Sequence, residues 1–196
     1  MQSLPPLPPE IKALIFDVDG TLLDTMDLHY RACQAVCQPK GFDFPHDFFL
    51  AWAGVPAHKT FEALMKELAL PYNGFDLAEE KERVFATLIP EIKPLASVLA
   101  FAKEHYGKLP MALGTGLQRP MLEVMMLHSQ IGYMFDCWVS ADDVVNPKPD
   151  PETFLKGAEG MNVAPENCLV LEDGVLGIEA AKSGGMQVWD VRPFLI

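Results

Sequence analysis

Apolar positions along this chain fall into two regimes. From Leu109 onward, short apolar runs alternate with stretches of helical period. Leu109–Leu113, Cys137–Val139, Cys168–Leu171 and Gln187–Val191 read as strands. Gln118–Ser129, Pro151–Met161 and Val175–Lys182 read as the helices between them. The second of these opens with proline in a first turn, where the missing N–H costs nothing. The third closes at Gly184-Gly185. An earlier apolar run, Ala13–Phe16, has the character of one more buried strand. Strands alternating with helices predict an α/β fold, a parallel sheet with helices on both faces.

Between Asp24 and about Lys93 the pattern changes, and no strand is expected. Phe61, Leu64, Met65 and Leu68 repeat at i, i+3, i+4 and i+7, one face of a helix starting near Thr60. Ala78–Leu88 is charge-rich and helix-prone. Pro39, Gly41, Pro45, Gly54, Pro56, Pro71 and Gly74 punctuate the segment. A helical insertion thus interrupts an α/β domain straight after its first strand. The expected division is a core of residues 10–24 and 94–196 and a helical cap of residues 25–93. Hinges are expected near Asp24–Thr25 and Pro90–Pro94. Residues 1–9, with Leu4-Pro5-Pro6-Leu7-Pro8-Pro9, form an extended arm of polyproline type.

Bulk properties narrow the partners. A chain of 196 residues suffices for one domain and a smaller appendage. The formal net charge of −12 argues against nucleic acid and anionic membranes, which need a basic footprint. An anionic substrate would need local cations, from lysine or metal. The four cysteines, Cys33, Cys37, Cys137 and Cys168, form no CxxC and read as reduced thiols of a cytoplasmic protein. No run is long enough to span a bilayer, and the start lacks the regions of a signal peptide. A monomer or weak dimer is expected.

Chemistry gathers where the strands end, which is where open parallel sheets build their sites. Asp17-Val18-Asp19-Gly20-Thr21 follows the first strand. Residues i and i+2 of an extended segment face one side, so Asp17 and Asp19 aim at one small volume. Gly114-Thr115-Gly116 follows the second strand, Asn146-Pro147-Lys148-Pro149 the third, and Glu172-Asp173-Gly174 the fourth. Taken singly, each has a plain structural explanation: an Asx turn, a tight strand-to-helix turn, a solvated lysine, an acidic helix start. Taken together, they fit phosphoryl transfer. Asp17 is a carboxylate that can attack phosphorus, and Asp19 can give a proton and later take one. Glu172 and Asp173 beside Asp17 require a cation, and hard carboxylate ligands suit Mg²⁺. Thr115 offers a hydroxyl, and the glycines beside it, including Gly116, let backbone N–H groups approach phosphate oxygens. Lys148, held between prolines, would neutralise Asp17 and the phosphoryl oxygens together.

With those residues in order, the chain resembles the haloacid dehalogenase-superfamily phosphatases, over nearly its whole length. The motifs are Asp-Val-Asp-Gly-Thr, a helical insertion, Gly-Thr-Gly, Lys-Pro-Asp-Pro-Glu-Thr-Phe and Glu-Asp-Gly. The cap between the first two motifs is similar to that of the β-phosphoglucomutase-like subgroup. Met111–Gly116, Glu172-Asp173 and Val188–Arg192 resemble bacterial fructose-1-phosphate phosphatases. The resemblance implies a Rossmann-like core and an Mg²⁺-dependent hydrolase of small phosphorylated sugars. It also implies that Asp17, the backbone carbonyl of Asp19, and Asp173 hold the metal, with Glu172 near it. Two departures bear on the substrate. Leu117-Gln118-Arg119 stands where many relatives carry a second hydroxyl or amide, and Cys33 replaces a tryptophan. Arg119 is open to two readings, a substrate contact or a surface residue.

Gly54-Val55-Pro56-Ala57-His58-Lys59 fits the family's substrate-specificity loop. His58 and Lys59 either contact the sugar or cap and solvate the helix that follows. His29 either lies near the catalytic aspartate, as in the sugar mutases, or is a polar helix-face residue. His29, Cys33 and Cys37 cannot converge on zinc, because the outer two lie about 12 Å apart along one helix. The cysteines, and Met121, Met125 and Met126, read as packing residues. A phosphosugar mutase would share all of this chemistry. A signalling receiver module uses similar residues but places its phospho-acceptor after a later strand, and it lacks the insertion. Closure of the cap is expected to exclude water and select the substrate.

Overall fold

The computed structural model describes residues 3–195. The chain divides into two compact units, Met1–Asp24 with Lys93–Ile196, and Thr25–Ile92. The first unit is built on a five-stranded parallel sheet of order β5-β4-β1-β6-β7. Its strands are β1 (Ala13–Phe16), β4 (Met111–Gly114), β5 (Cys137–Val139), β6 (Cys168–Glu172) and β7 (Gln187–Asp190). A separate two-residue ribbon pairs β2 (Leu23–Asp24) antiparallel with β3 (Lys93–Pro94). Helices α5 (Ala96–His105), α6 (Arg119–Ser129), α7 (Glu152–Gly160) and α8 (Val175–Ser183) complete the unit.

β1 is the central strand, and all four of its residues are fully buried. Successive side chains leave a strand on opposite faces, so a strand covered on both faces must be apolar throughout. Ala13 and Ile15 face a cluster with Ala112, Val170, Phe154 and Ala158 of α7, and Ala180 and Ala181 of α8. On β1's other side Phe16 meets the Phe135 ring edge-on at 5.5 Å. Phe101 of α5 lies 5.5 Å from Trp189 of β7.

The strands begin and end close to the sequence reading, with informative shifts. β4 starts at Met111 rather than Leu109. Pro110 already accepts a hydrogen bond from the Leu14 amide, but it has no N–H to give the ladder. The ribbon β2–β3 was not expected from the sequence, because two residues on each side carry no periodicity. Helix α5 also has no counterpart in the sequence reading. The arm expected over residues 1–9 lies partly outside the described residues, at Met1 and Gln2. Its remainder forms no helix or strand, and Leu4 is buried.

The second unit is helical, with α1 (Met26–Cys37), α2 (His46–Ala51), α3 (Ala57–Glu67) and α4 (Gly74–Leu88). Phe61, Leu64 and Met65 of α3 pack with Cys33, Val36, Cys37, Phe44 and Leu77. Leu68 departs from its expected face, being 40 % exposed, because α3 stops at Glu67 and Leu68 is its C-cap. Helix α4 starts at Gly74, four residues before the expected Ala78. The Asn73 side chain caps it, accepting from the amides of Phe75 at 2.8 Å and Asp76 at 3.3 Å.

The packing makes a direct stability prediction. Ile15→Ala removes a fully buried side chain from the middle of the central strand. It should lower the unfolding free energy by about 2–5 kcal/mol, read from the urea midpoint at unchanged slope.

Candidate active site

The parallel register sets the site. Phe16 pairs with Leu113 on one side and Leu171 on the other. The Asp17 amide continues the ladder by donating to the Leu171 carbonyl at 3.0 Å. Asp17, Glu172 and Thr115 therefore stand at the carboxyl ends of three adjacent strands.

The Lys148 Nζ lies 2.7 Å from Asp17 Oδ1 and 2.8 Å from Glu172 Oε1. It also sits 4.5 Å above the centre of the Phe154 ring. All three charged side chains are more than nine-tenths buried. The loop before Lys148 is pinned by Glu152, which accepts from the amides of Asn146 at 2.8 Å and Val145 at 3.1 Å. Lys156 donates to the same carboxylate at 2.9 Å. The Lys156 bond and the backbone donors hold the Glu152 acid down at about 2.

Asp173 completes the acidic group. It accepts a hydrogen bond from the buried Thr21 hydroxyl at 2.8 Å. Carboxylate oxygens of Asp17, Glu172 and Asp173 all lie within 4.8 Å of one another. Three carboxylates against one lysine leave an excess of negative charge. Burial pushes the Asp17 acid well above its ordinary range, against the pull of Lys148 and with help from Glu172 and Asp173. Burial and the Glu172 charge raise Asp173 to about 6. Burial alone would lower the Lys148 ammonium pKa, but Asp17 and Glu172 outweigh it and keep the lysine charged. Oxygen donors crowded together with unbalanced charge fit a hard divalent cation.

The close carboxylate group among the described residues is Asp17, Glu172 and Asp173, and Asp19 follows just beyond the strand. The chain has already left the strand at Asp19 and is turning. Leu22 and Leu23 both donate to the Val18 carbonyl, and Gly20 adopts a φ of +77°, which favours glycine. The strict alternation of an extended strand therefore stops before Asp19. Its side chain is half-buried, and its backbone bridges to Leu23.

Thr115 is buried, and its hydroxyl oxygen accepts from the Leu117 amide at 3.1 Å, leaving the hydroxyl hydrogen to donate. Gly116 beside it is exposed. Arg119 spends its guanidinium on the Trp138 carbonyl at 2.9 Å and on Asp143, so the surface reading of this residue is the one the geometry favours.

The remaining sequence candidates belong to the helical unit. His58 and Lys59 are not in a loop, because α3 begins at Ala57. The carbonyl of Pro56, the helix N-cap, already accepts from the amides of Lys59 and Thr60. The His58 ring stacks on Phe75 at 4.5 Å, and Lys59 is exposed. His29 is buried, stacked on Phe85 at 3.9 Å, with its Nδ1 2.8 Å from the Lys81 Nζ. Cys33 and Cys37 belong to the packed cluster, Met125 and Met126 are buried, and Met121 is half-buried.

Thr21, Glu152 and Phe154 were not singled out from the sequence as site residues, nor was Gly177, whose α-carbon packs against the Glu172 carboxylate. Thr21, Glu152 and Phe154 are visible in the sequence only as members of their motifs, and Gly177 only as a glycine inside an otherwise good helical stretch.

Residues 14–191 match the family model of haloacid dehalogenase-like hydrolases. A fructose-1-phosphate phosphatase of Escherichia coli is 37 % identical over 180 residues, covering 91 % of this chain and 95 % of its own. A phosphorylated carbohydrates phosphatase of Thermotoga maritima is 37 % identical, covering 90 % of this chain and 83 % of its own. The crystal structure of β-phosphoglucomutase from Clostridium difficile superposes with a TM-score of 0.81 at 28 % identity, covering 91 % of this chain and 83 % of that one. The chain belongs to the haloacid dehalogenase-like hydrolase family. It is an enzyme of the phosphatase kind, on the β-phosphoglucomutase-like scaffold. No helix among the described residues is long and apolar enough to cross a membrane.

The raised acid of Asp173 gives a pH prediction. Without a cation, its neutral form contributes stability that is fully present below the ordinary Asp value of about 4. That stability is lost as pH rises through about 6. In chelator at pH 7.5, Asp173→Asn should therefore melt higher than the parent, and the difference should vanish near pH 4. Added divalent cation should raise the melting temperature of the parent only.

Proposed function

We propose that this chain hydrolyses small sugar phosphate monoesters in an Mg²⁺-dependent reaction through an aspartyl-phosphate on Asp17. The observation that carries the reading is Lys148, buried and shared between Asp17 and Glu172 at the sheet's carboxyl edge. Lys148 holds Asp17 Oδ1, which leaves the other oxygen to attack phosphorus. As that P–O bond forms, the ester P–O bond breaks, and Asp19 gives its proton to the departing sugar oxygen. Asp19 then takes a proton from water. The water oxygen attacks phosphorus, the Asp17–phosphorus bond breaks, and inorganic phosphate leaves. The charge of Lys148 and the hydroxyl of Thr115, with the Gly116 amide, would stabilise the negative charge spread over the phosphoryl oxygens.

Asp17, the backbone carbonyl of Asp19, and Asp173 would hold the Mg²⁺, with Glu172 beside them. When bound, Mg²⁺ supplies the positive charge that lets an anionic phosphoryl group approach so many carboxylates. The sugar itself would be read by the helical unit, through His58, Lys59 and His29. The names of the relatives point to fructose-1-phosphate or a similar phosphorylated carbohydrate. A 6-phosphogluconate phosphatase of Escherichia coli, 28 % identical, adds a second candidate substrate.

The likeness to β-phosphoglucomutase supports a second reading, transfer of the phosphoryl group to another sugar hydroxyl. Phosphate released from a sugar monophosphate with no bisphosphate present would exclude it as the main activity.

Phosphate release from fructose-1-phosphate and 6-phosphogluconate with Mg²⁺ tests the proposal. Asp17→Asn should lower kcat by on the order of 10⁴-fold, and Thr115→Ala by roughly 10²-fold. Chelation should stop turnover, and Mg²⁺ should restore it. Full activity of Asp17→Asn with an intact circular-dichroism spectrum would end the proposal.

A further inference from the structure

We infer that Gly177 is a positioning residue for the reaction centre, and that its missing side chain is what lets Glu172 aim Lys148 at Asp17. The inference rests on the proposed role of Asp17 and extends it one residue outward.

Gly177 is the third residue of α8, with an ordinary helical backbone and no positive φ. Nothing about the local conformation calls for glycine there, and alanine is the better helix former. The cause is lateral. A Cβ on Gly177 would lie 1.7 Å from Glu172 Oε1, 2.1 Å from its Cδ and 2.8 Å from its Cγ. The carboxylate occupies the space a side chain would fill.

The two oxygens of that carboxylate have different tasks. Oε2 accepts the amide of Gly174, the N-cap of α8, so the charge sits at the positive end of the helix. Oε1 accepts Lys148 at 2.8 Å. Oε1 is the atom that a Cβ at residue 177 would strike. Any substitution therefore expels the acceptor that holds Lys148, while leaving Lys148, Asp17 and Asp173 chemically intact. Glu172 cannot simply retreat, because the Gly174 amide and the buried surroundings fix its other end.

The test compares Gly177→Ala, Glu172→Asp and the double variant. Asp is one methylene shorter, so its carboxylate withdraws from the new Cβ. Gly177→Ala should keep its circular-dichroism spectrum and lose kcat on the order of 10²-fold with little change in KM, as expected when a reacting group is displaced by about 1 Å. The melting-temperature rise given by Mg²⁺ alone should shrink with it. In the Glu172→Asp background the same alanine should cost less than about threefold, a non-additivity that a general helix defect would not produce. Should Gly177→Ala fail to fold, recovery of folding in the double variant supports the contact, and failure of both overturns it. Equal losses in the two backgrounds, or a parent-like Gly177→Ala, would also overturn it. If the parent releases no phosphate from any monoester, the proposed function fails, while the Mg²⁺ melting shifts still decide the role of Gly177.

Discussion

A buried lysine that must serve two carboxylates at once is the constraint on which the first unit turns. Lys148 meets Asp17 at 2.7 Å and Glu172 at 2.8 Å, away from water, with a third carboxylate close by. Buried charges are costly unless they are paired with good geometry. Every neighbouring feature improves that geometry. Phe154 offers its ring face to the ammonium, Glu152 pins the loop that carries the lysine, and Gly174 and Thr21 donate to the acids. Burial, reinforced by the neighbouring carboxylates, pushes the acids of Asp17 and Asp173 upward. A protein that keeps three carboxylates against one lysine is ready for a positive ion and an anionic ligand together.

The sheet explains how residues so distant in the chain can meet. Asp17 and Glu172 are neighbours because β1 and β6 are paired in register, and Thr115 stands one strand over. β1, β4 and β6 are buried throughout, so sliding any one of them would break the core as well as the site. Stability and chemistry thus share one set of hydrogen bonds.

Much of this was legible in the sequence, and the reasons differ by feature. Buried parallel strands are continuous apolar runs, so β1, β5 and β6 could be read almost to the residue. The residues that follow them are charged or small, and the topology of parallel sheets brings such residues to one edge. Less regular features were hidden. The turn after Val18 depends on two amides converging on one carbonyl, which no side-chain pattern records. The start of α3 at Ala57 is set by the Pro56 carbonyl, and apolar periodicity is blind to it. Arg119 looked open because Asp143, its partner, lies more than twenty residues further along the chain. Thr21 was visible only as part of a motif, since its bond to Asp173 spans 152 residues.

The ribbon of Leu23–Asp24 against Lys93–Pro94 brings the departing and returning chain side by side. To the sheet, everything spliced between those two points is equivalent to a hairpin bend, whatever its length. Such a junction lets evolution lengthen, shorten or exchange the intervening helices without altering strand pairing.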